Sequence, residues 1–329
     1  ESTVGGPGIN DGNRFNGVLS LNTDQQLDDV TFEGNSFGFS ADKSTFLGVV
    51  SGIFLGGNSA RISNLTIHNN LLQTFSGYGA LPYVTDITLT GNKVCVDDDV
   101  TTNICSGLYF YQAHIYLWVV TNFKVGGPNL QDRNYFSGVP DVNIIFAVNL
   151  VGNTDIQNNY FNLTQDGSAL LESGEGDNGI RVSNTSGDVT IDSNHFVSAT
   201  TPVGNNGGQI DSGTENGEIS VTNNTVGTSA DGLTTIGHVQ SGISASGIDV
   251  NVSGNTVRGG ITRSSGSSQT VVRVYGLSSQ GSAIISENNV TGNEGQPIIV
   301  DGTFGHTLID QNTFDGSTND SAGLRIDSN

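Results

Sequence analysis

Asp155 and Asp192 are the residues of this chain best placed to act as an acid and base pair. Each neighbours an inward apolar residue of a repeated turn, so both are predicted to point outward about 8 Å apart, close enough for one carboxyl to protonate a leaving oxygen while the other activates water. Two solvated surface carboxylates are the competing reading. Asp97-Asp98-Asp99 offers hard oxygen ligands that suit Ca²⁺ with help from loop carbonyls, against the alternative of a solvated acidic run. The histidines His68, His114, His195, His238 and His306 share no metal-ligand spacing, and no other cofactor is indicated.

Cys95 and Cys105 enclose a polar segment, which predicts a disulfide in a side loop, formed in an oxidising compartment. Closing so short a loop contributes on the order of 2.5 kcal/mol. In the run His114-Ile115-Tyr116-Leu117-Trp118-Val119, alternation turns Tyr116 and Trp118 to the same outer face. Two outward aromatics suit a sugar ring or a protein partner, unless the bridged insertion folds over them.

The elements that must carry these residues are short strands in a repeat. An apolar residue, two residues, Asn, one residue and another apolar residue recur around Asn35, Asn70, Asn92, Asn134, Asn159, Asn194, Asn224, Asn255, Asn288 and Asn312. Chance supplies roughly three such matches in a chain of this composition, so the recurrence is structural. Alternation before each Asn, as in Val189-Thr190-Ile191, is that of a half-buried strand. The Asn itself is expected to make a sharp turn through a left-handed conformation. Stacking of coils at the strand spacing of ~4.8 Å then places successive amides in hydrogen-bonding range, forming a ladder. The fixed offset from each Asn predicts Phe37, Val94, Phe161, Phe196, Val226, Val257, Val290 and Phe314 inside.

A second element, Gly, apolar, any residue, apolar, precedes the Asn turns, as in Gly179-Ile180-Arg181-Val182 and Gly242-Ile243-Ser244-Ala245. The pairing of the two elements resembles the right-handed parallel β-helix repeat of the pectate-lyase-like superfamily, from about Val30 onward. The resemblance implies an all-β fold, a right-handed parallel β-helix of about ten or more coils with variable side loops. The expected organisation is an N-terminal segment, 1–29, forming an irregular strand or inter-subunit contact, followed by one β-helix domain, 30–329, with a bridged insertion around 95–105.

Enzymes, tailspikes, adhesins and surface filaments share that repeat, so it says little about activity. The words of the pectin-hydrolase pattern occur in order as Asn22-Thr23-Asp24, Asp28-Asp29, Gly237-His238 and Arg263. Asp24 and His238 fall about seven coils apart, on the order of 30 Å, which is too far for a shared reaction centre. The Arg-x-Pro-x-x-Arg and Asp-Pro-His-Glu words of related lyases and epimerases do not occur.

Lys and Arg number 11 against 32 Asp and Glu, giving a net charge of −21 that disfavours nucleic acid and acidic membrane surfaces. No apolar run is long enough to cross a bilayer as a helix. The chain contains no Met and starts at Glu1, as expected after removal of a secretory signal, so an extracellular or cell-surface location is predicted. These features point to an extracellular structural or adhesive protein, with a carbohydrate-active enzyme, lyase or glycoside hydrolase, as the alternative. Expected partners are a second subunit meeting it end to end, a further domain stacked on the C-terminal coil, or a glycan.

Overall fold

The computed structural model describes residues 2–6, 12–21, 26–40, 43, 47, 52–55, 61–77, 84–105, 113–138, 143–171, 179–197, 210–214, 216–236, 242–258, 270–293, 296–316 and 324–328. The described chain is an all-β parallel β-helix. Each coil contributes one strand to each of three parallel files. The pre-turn file, which leads into the ladder Asn, starts with Ser2–Gly5, Gln26–Glu33, Arg61–His68 and Val84–Thr90. A short file follows the Asn, beginning with Arg14–Phe15 and Ser36–Phe37. A return file, starting with Val18–Leu21 and Gly52–Leu55, carries the Gly-apolar-x-apolar element. Near the C-terminal end, Thr270–Ser286 and Gln296–Asp310 run without a break through both the return and the pre-turn files. The short file is an 11-stranded parallel sheet, so the described residues form eleven coils.

The core consists of columns of like residues stacked along the axis. In the return file, Ile115, Ile145, Ile180, Ile210 and Ile243 pair in unbroken register, and all are buried. β-Branched side chains suit this pleated surface, and burial of each contributes on the order of 1.5–3 kcal/mol. In the short file, Phe136, Phe161 and Phe196 stack face to face with centroids 5.0 and 4.4 Å apart. Of the side chains expected inside, Phe37, Val94, Phe161, Phe196, Val226, Val257 and Val290 are buried, and Phe314 at the end of the stack is partly buried.

The structure alters the sequence reading in two places. The stack reaches back into the segment set apart as 1–29, because Ser2–Gly5 pairs with Val30–Glu33 and Val18–Leu21 with Gly52–Leu55. The left-handed residue of the turn is the one before the ladder Asn rather than the Asn itself, except at Asn134, where Arg133 is extended with φ −61°: Gly34, Asn69, Gly91, Asn158, Ser193, Asn223, Gly254, Glu287 and Gln311 all have φ between 52° and 67°. Leaving the ladder Asn out of that region aims its amide along the axis toward the next coil.

Candidate functional site

The ladder is the most extensive polar construction among the described residues. The backbone N–H and the Nδ2 of Asn159 both donate to Oδ1 of Asn194, at 2.9 and 3.0 Å. The same pair of bonds joins Asn35 to Asn70, Asn92 to Asn134, Asn224 to Asn255 and Asn288 to Asn312. Each Nδ2 also reaches back one coil, as Asn194 does to the carbonyl of Ile156 at 2.8 Å. One side chain thus ties three coils together, and its buried amide is fully satisfied. Asn13 is a further rung, donating to Oδ1 of Asn35 at 3.0 Å from its N–H and 3.3 Å from Nδ2. The motif missed it because Asn10 stands where an apolar residue is expected.

Asp155 and Asp192 lie on adjacent strands but in different outward files, with Asp155 opposite Thr190 and Asp192 opposite Gln157. The Asp192 carboxylate accepts from the Thr222 hydroxyl at 2.6 Å, the Asn223 amide at 2.9 Å and the Ser193 hydroxyl at 2.9 Å. It therefore ties one turn to the next, as the ladder does.

A similar use of carboxylates runs along one line of the pre-turn file, within the strands at Asp29 and Asp86 and where the strands begin at Asp188 and Asp249. Asp29 accepts from the Asn64 amide at 2.9 Å, Asp86 from Asn122 at 2.8 Å, Asp188 from the N–H of Glu218 at 3.0 Å and Asp249 from the N–H of Ser282 at 2.9 Å. Beside it, the Asp28 carboxyl is held below its usual range by a hydrogen bond from the Ser63 hydroxyl and another from Gln26. Asp24, His238 and Arg263, the other parts of the hydrolase-like words, lie outside the described residues.

Cys95 and Cys105 are bridged, with Cα atoms 5.2 Å apart, and both are buried. Between them the chain forms a hairpin closed by an antiparallel bridge from Val96 to Asn103. Asp97 caps this hairpin by accepting from the N–H and hydroxyl of Thr101, both at 2.7 Å, and from the N–H of Thr102 at 3.0 Å. Asp98 pairs with Lys93 at 2.8 Å. Of the Ca²⁺ candidates Asp97, Asp98 and Asp99, Asp97 is thus engaged within the loop and Asp98 by Lys93 of the preceding short strand, and no group of three or more His, Cys, Asp or Glu side chains that could hold a metal ion gathers among the described residues.

Equivalent hairpins, closed by Leu163 with Leu170 and by Thr228 with Thr235, follow the short strands after Asn159 and Asn224. Each has a left-handed residue at the same place, Val100, Gly167 or Gly232. The hairpins line one flank: Leu171 packs with Val96 and Val100, and the N–H of Ala230 donates to the carbonyl of Gly167 at 2.9 Å. Their common offset from the ladder Asn was the available sequence signal. Under this flank, the Arg133 guanidinium lies 3.9 Å from the Tyr160 ring centroid, and Tyr160 meets His195 edge-on at 5.0 Å. Burial, aided by the charge of Arg133, lowers His195 to about 4, and burial alone lowers His114 to about 4.

The aromatic pair does not form one exposed platform. Tyr116 is 5% exposed and stacks on Phe146 at 5.5 Å, whereas Trp118 is 40% exposed. The Arg181 guanidinium continues the Tyr116–Phe146 column, 5.5 Å from the Phe146 ring.

No protein-family model, curated protein or solved structure matches this chain.

Proposed function

We propose that this chain is an extracellular structural rod, a parallel β-helix whose task is to hold length and present a surface. Its finer affinity is with the right-handed β-helix proteins of the pectate-lyase-like superfamily, and within them with surface, filament and adhesin members. The observation that carries this reading is the use of polar side chains to join coils: the Asn ladder, and Asp192 bound to Thr222 and Asn223 of the next turn. A buried disulfide and a net charge of −21 support an oxidising exterior and a solubilised surface. Trp118, exposed beside the Tyr116–Phe146 column, favours a glycan as the contact of an adhesive role.

The test is a panel of uronate-containing and neutral polysaccharides incubated with the protein and assayed for new reducing ends and unsaturated products. No turnover is expected. Robust turnover of any of them overturns the structural reading in favour of a carbohydrate-active enzyme.

A further inference from the structure

The bridge between Cys95 and Cys105 joins two sulfurs with different surroundings. Cys95 belongs to the coil. It follows the short strand Lys93–Val94, and its N–H donates to the carbonyl of Leu72 at 3.0 Å. The register of that strand places Cys95 between Gln73 and Ser137 of the adjoining coils, and all three are buried. Cys105 belongs to the hairpin. Its N–H donates to Oδ1 of Asn103 at 2.9 Å, and Nδ2 of Asn103 donates to the carbonyl of Gly138 at 2.9 Å.

His114 singles out one of the two sulfurs. From the return strand Ala113–Trp118, its Nδ1 lies 3.0 Å from the carbonyl oxygen of Gln73 and 3.3 Å from Sγ of Cys95. Burial lowers this imidazole to about 4, so at neutral pH the ring is uncharged and one nitrogen alone carries a hydrogen. A carbonyl oxygen can only accept, which puts that hydrogen on Nδ1. The N–H is therefore shared between the Gln73 carbonyl and the Cys95 sulfur. A bridged sulfur is a weak acceptor and a thiolate a strong one, so this contact strengthens when the bridge opens with the charge on Cys95.

In thiol–disulfide exchange the sulfur better held as a thiolate leaves faster, and the incoming thiol ends on the other. We infer that Cys105 is a site of reversible thiolation, where an external thiol forms a mixed disulfide while Cys95 departs as a thiolate held by the N–H of His114. The thiolate of a small thiol attacks Sγ of Cys105 and a new S–S bond forms. The bond from Cys105 to Cys95 breaks, and its electron pair goes to Sγ of Cys95. There is no net oxidation or reduction, and attack of Cys95 on the mixed disulfide restores the bridge and frees the thiol. Both sulfurs are buried, so exchange follows opening of the hairpin, which carries Cys105 outward and leaves Cys95 in its coil. Once modified, the hairpin is released at its base and no longer holds Val96 and Val100 against Leu171. The site adds to the rod a point of covalent attachment that responds to thiols.

The order of events at the two sulfurs can be mapped. Native protein is incubated with mercaptoethanol, quenched with acid, unfolded, labelled with N-ethylmaleimide and digested for mass spectrometry. Mercaptoethanol on Cys105 with maleimide on Cys95 is expected in about tenfold excess over the reverse pattern, the effect of one hydrogen bond to a charged group. His114→Leu removes the N–H and should slow the exchange and erase the preference. His114→Asn, whose Nδ2 can stand where Nδ1 was, should restore it. Equal modification of the two sulfurs, the reverse pattern, no adduct in the native protein, or a preference that survives in His114→Leu overturns the inference. Should the His114 variants fail to fold, nitrogen NMR of the unaltered chain decides the role of the ring. A hydrogen on Nδ1 that moves downfield when the bridge is reduced supports it, and a hydrogen on Nε2, or one on Nδ1 that does not move, overturns it.

Discussion

Oδ1 of Asn194 accepts both the backbone N–H and the side-chain Nδ2 of Asn159, at 2.9 and 3.0 Å. Asn194→Ala removes this acceptor and strands the backbone N–H of Asn159 in the interior, at a cost of about 1–3 kcal/mol, while its Nδ2 keeps the carbonyls of Val125 and Gln157. Asn312→Ala, at the end of the stack, is expected to cost less. Urea unfolding should therefore show a midpoint loss for Asn194→Ala clearly larger than for Asn312→Ala, and equal losses would deny the ladder its axial role.

Stability should depend on pH through two imidazoles, His114, which is buried, and His195, which is partly buried. His114 and His195 are both lowered to about 4 in the folded chain, from an ordinary value of 6.5. Below about pH 6.5 the unfolded chain takes up protons that the folded chain refuses, so stability is complete above that value and falls as the pH drops toward 4. The loss is up to about 3 kcal/mol for each ring. Unfolding followed between neutral pH and about pH 4.5 is expected to show this decline, reduced in His195→Gln; a flat profile would count against both burials.

Thr154 is fully buried in a column continued by Val189 and Ile219, and its hydroxyl has no hydrogen-bond partner. Thr154→Val keeps the branched shape and removes the stranded hydroxyl, so a gain on the order of 1 kcal/mol is expected. Thermal melting of the two proteins side by side measures it. A lower melting temperature for the variant would mean that the hydroxyl has a role in the fold.

Gly167 has a φ of +70°, and a Cβ there would lie 2.5 Å from the Cβ of Ala230 and 3.0 Å from Oη of Tyr160. Gly167→Ala is therefore expected to push the neighbouring hairpin away and to destabilise the flank by more than about 1 kcal/mol, the usual penalty of the left-handed conformation. Faster amide exchange at Ala230, whose N–H donates to Gly167 at 2.9 Å, is the local readout. Unchanged exchange there would place the hairpins out of contact.

The bridge between Cys95 and Cys105 should leave the unreduced chain two hydrogens lighter than its dithiol form by mass spectrometry. Reduction is expected to remove on the order of 2.5 kcal/mol, concentrated in the hairpin. Rapid alkylation of both sulfurs in the native protein would contradict their burial.

The ladder was legible because its spacing rule is local: three residues before the Asn and two after it fix which side chains point inward, as Ile191 and Phe196 do around Asn194. The residue that bears the left-handed conformation was not legible, since Gly34, Asn69, Ser193, Glu287 and Gln311 share no chemical type. Tyr116 alternates outward as expected, yet its burial depends on Phe146 in the next coil, a neighbour that only the stacking register supplies. The hairpin flank escaped for a related reason. Val96 to Asn103, Leu163 to Leu170 and Thr228 to Thr235 share a length, a turn geometry and an Asp before the left-handed residue, at Asp99, Asp166 and Asp231, but little other sequence. Asp155 and Asp192 were placed correctly on adjacent strands, but the hydroxyl and amide that occupy Asp192 come from Thr222 and Asn223, residues of the following coil.

The direction of the ladder also has a mechanical meaning. Its bonds and those of the three files run along the axis, so tension applied to the two ends loads them in line. The disulfide closes a loop of separation 10 within one coil and fastens no coil to its neighbour. Covalently, the rod is a spring held shut by hydrogen bonds. Successive rungs are 22 to 42 residues apart, as between Asn70 and Asn92 and between Asn92 and Asn134. Opening one coil thus releases roughly 70 to 150 Å of slack at the reach of an extended chain, less where the disulfide shortens the path. Stretched singly in a force spectrometer, the protein should lengthen in unequal steps whose sizes follow the order of those spacings.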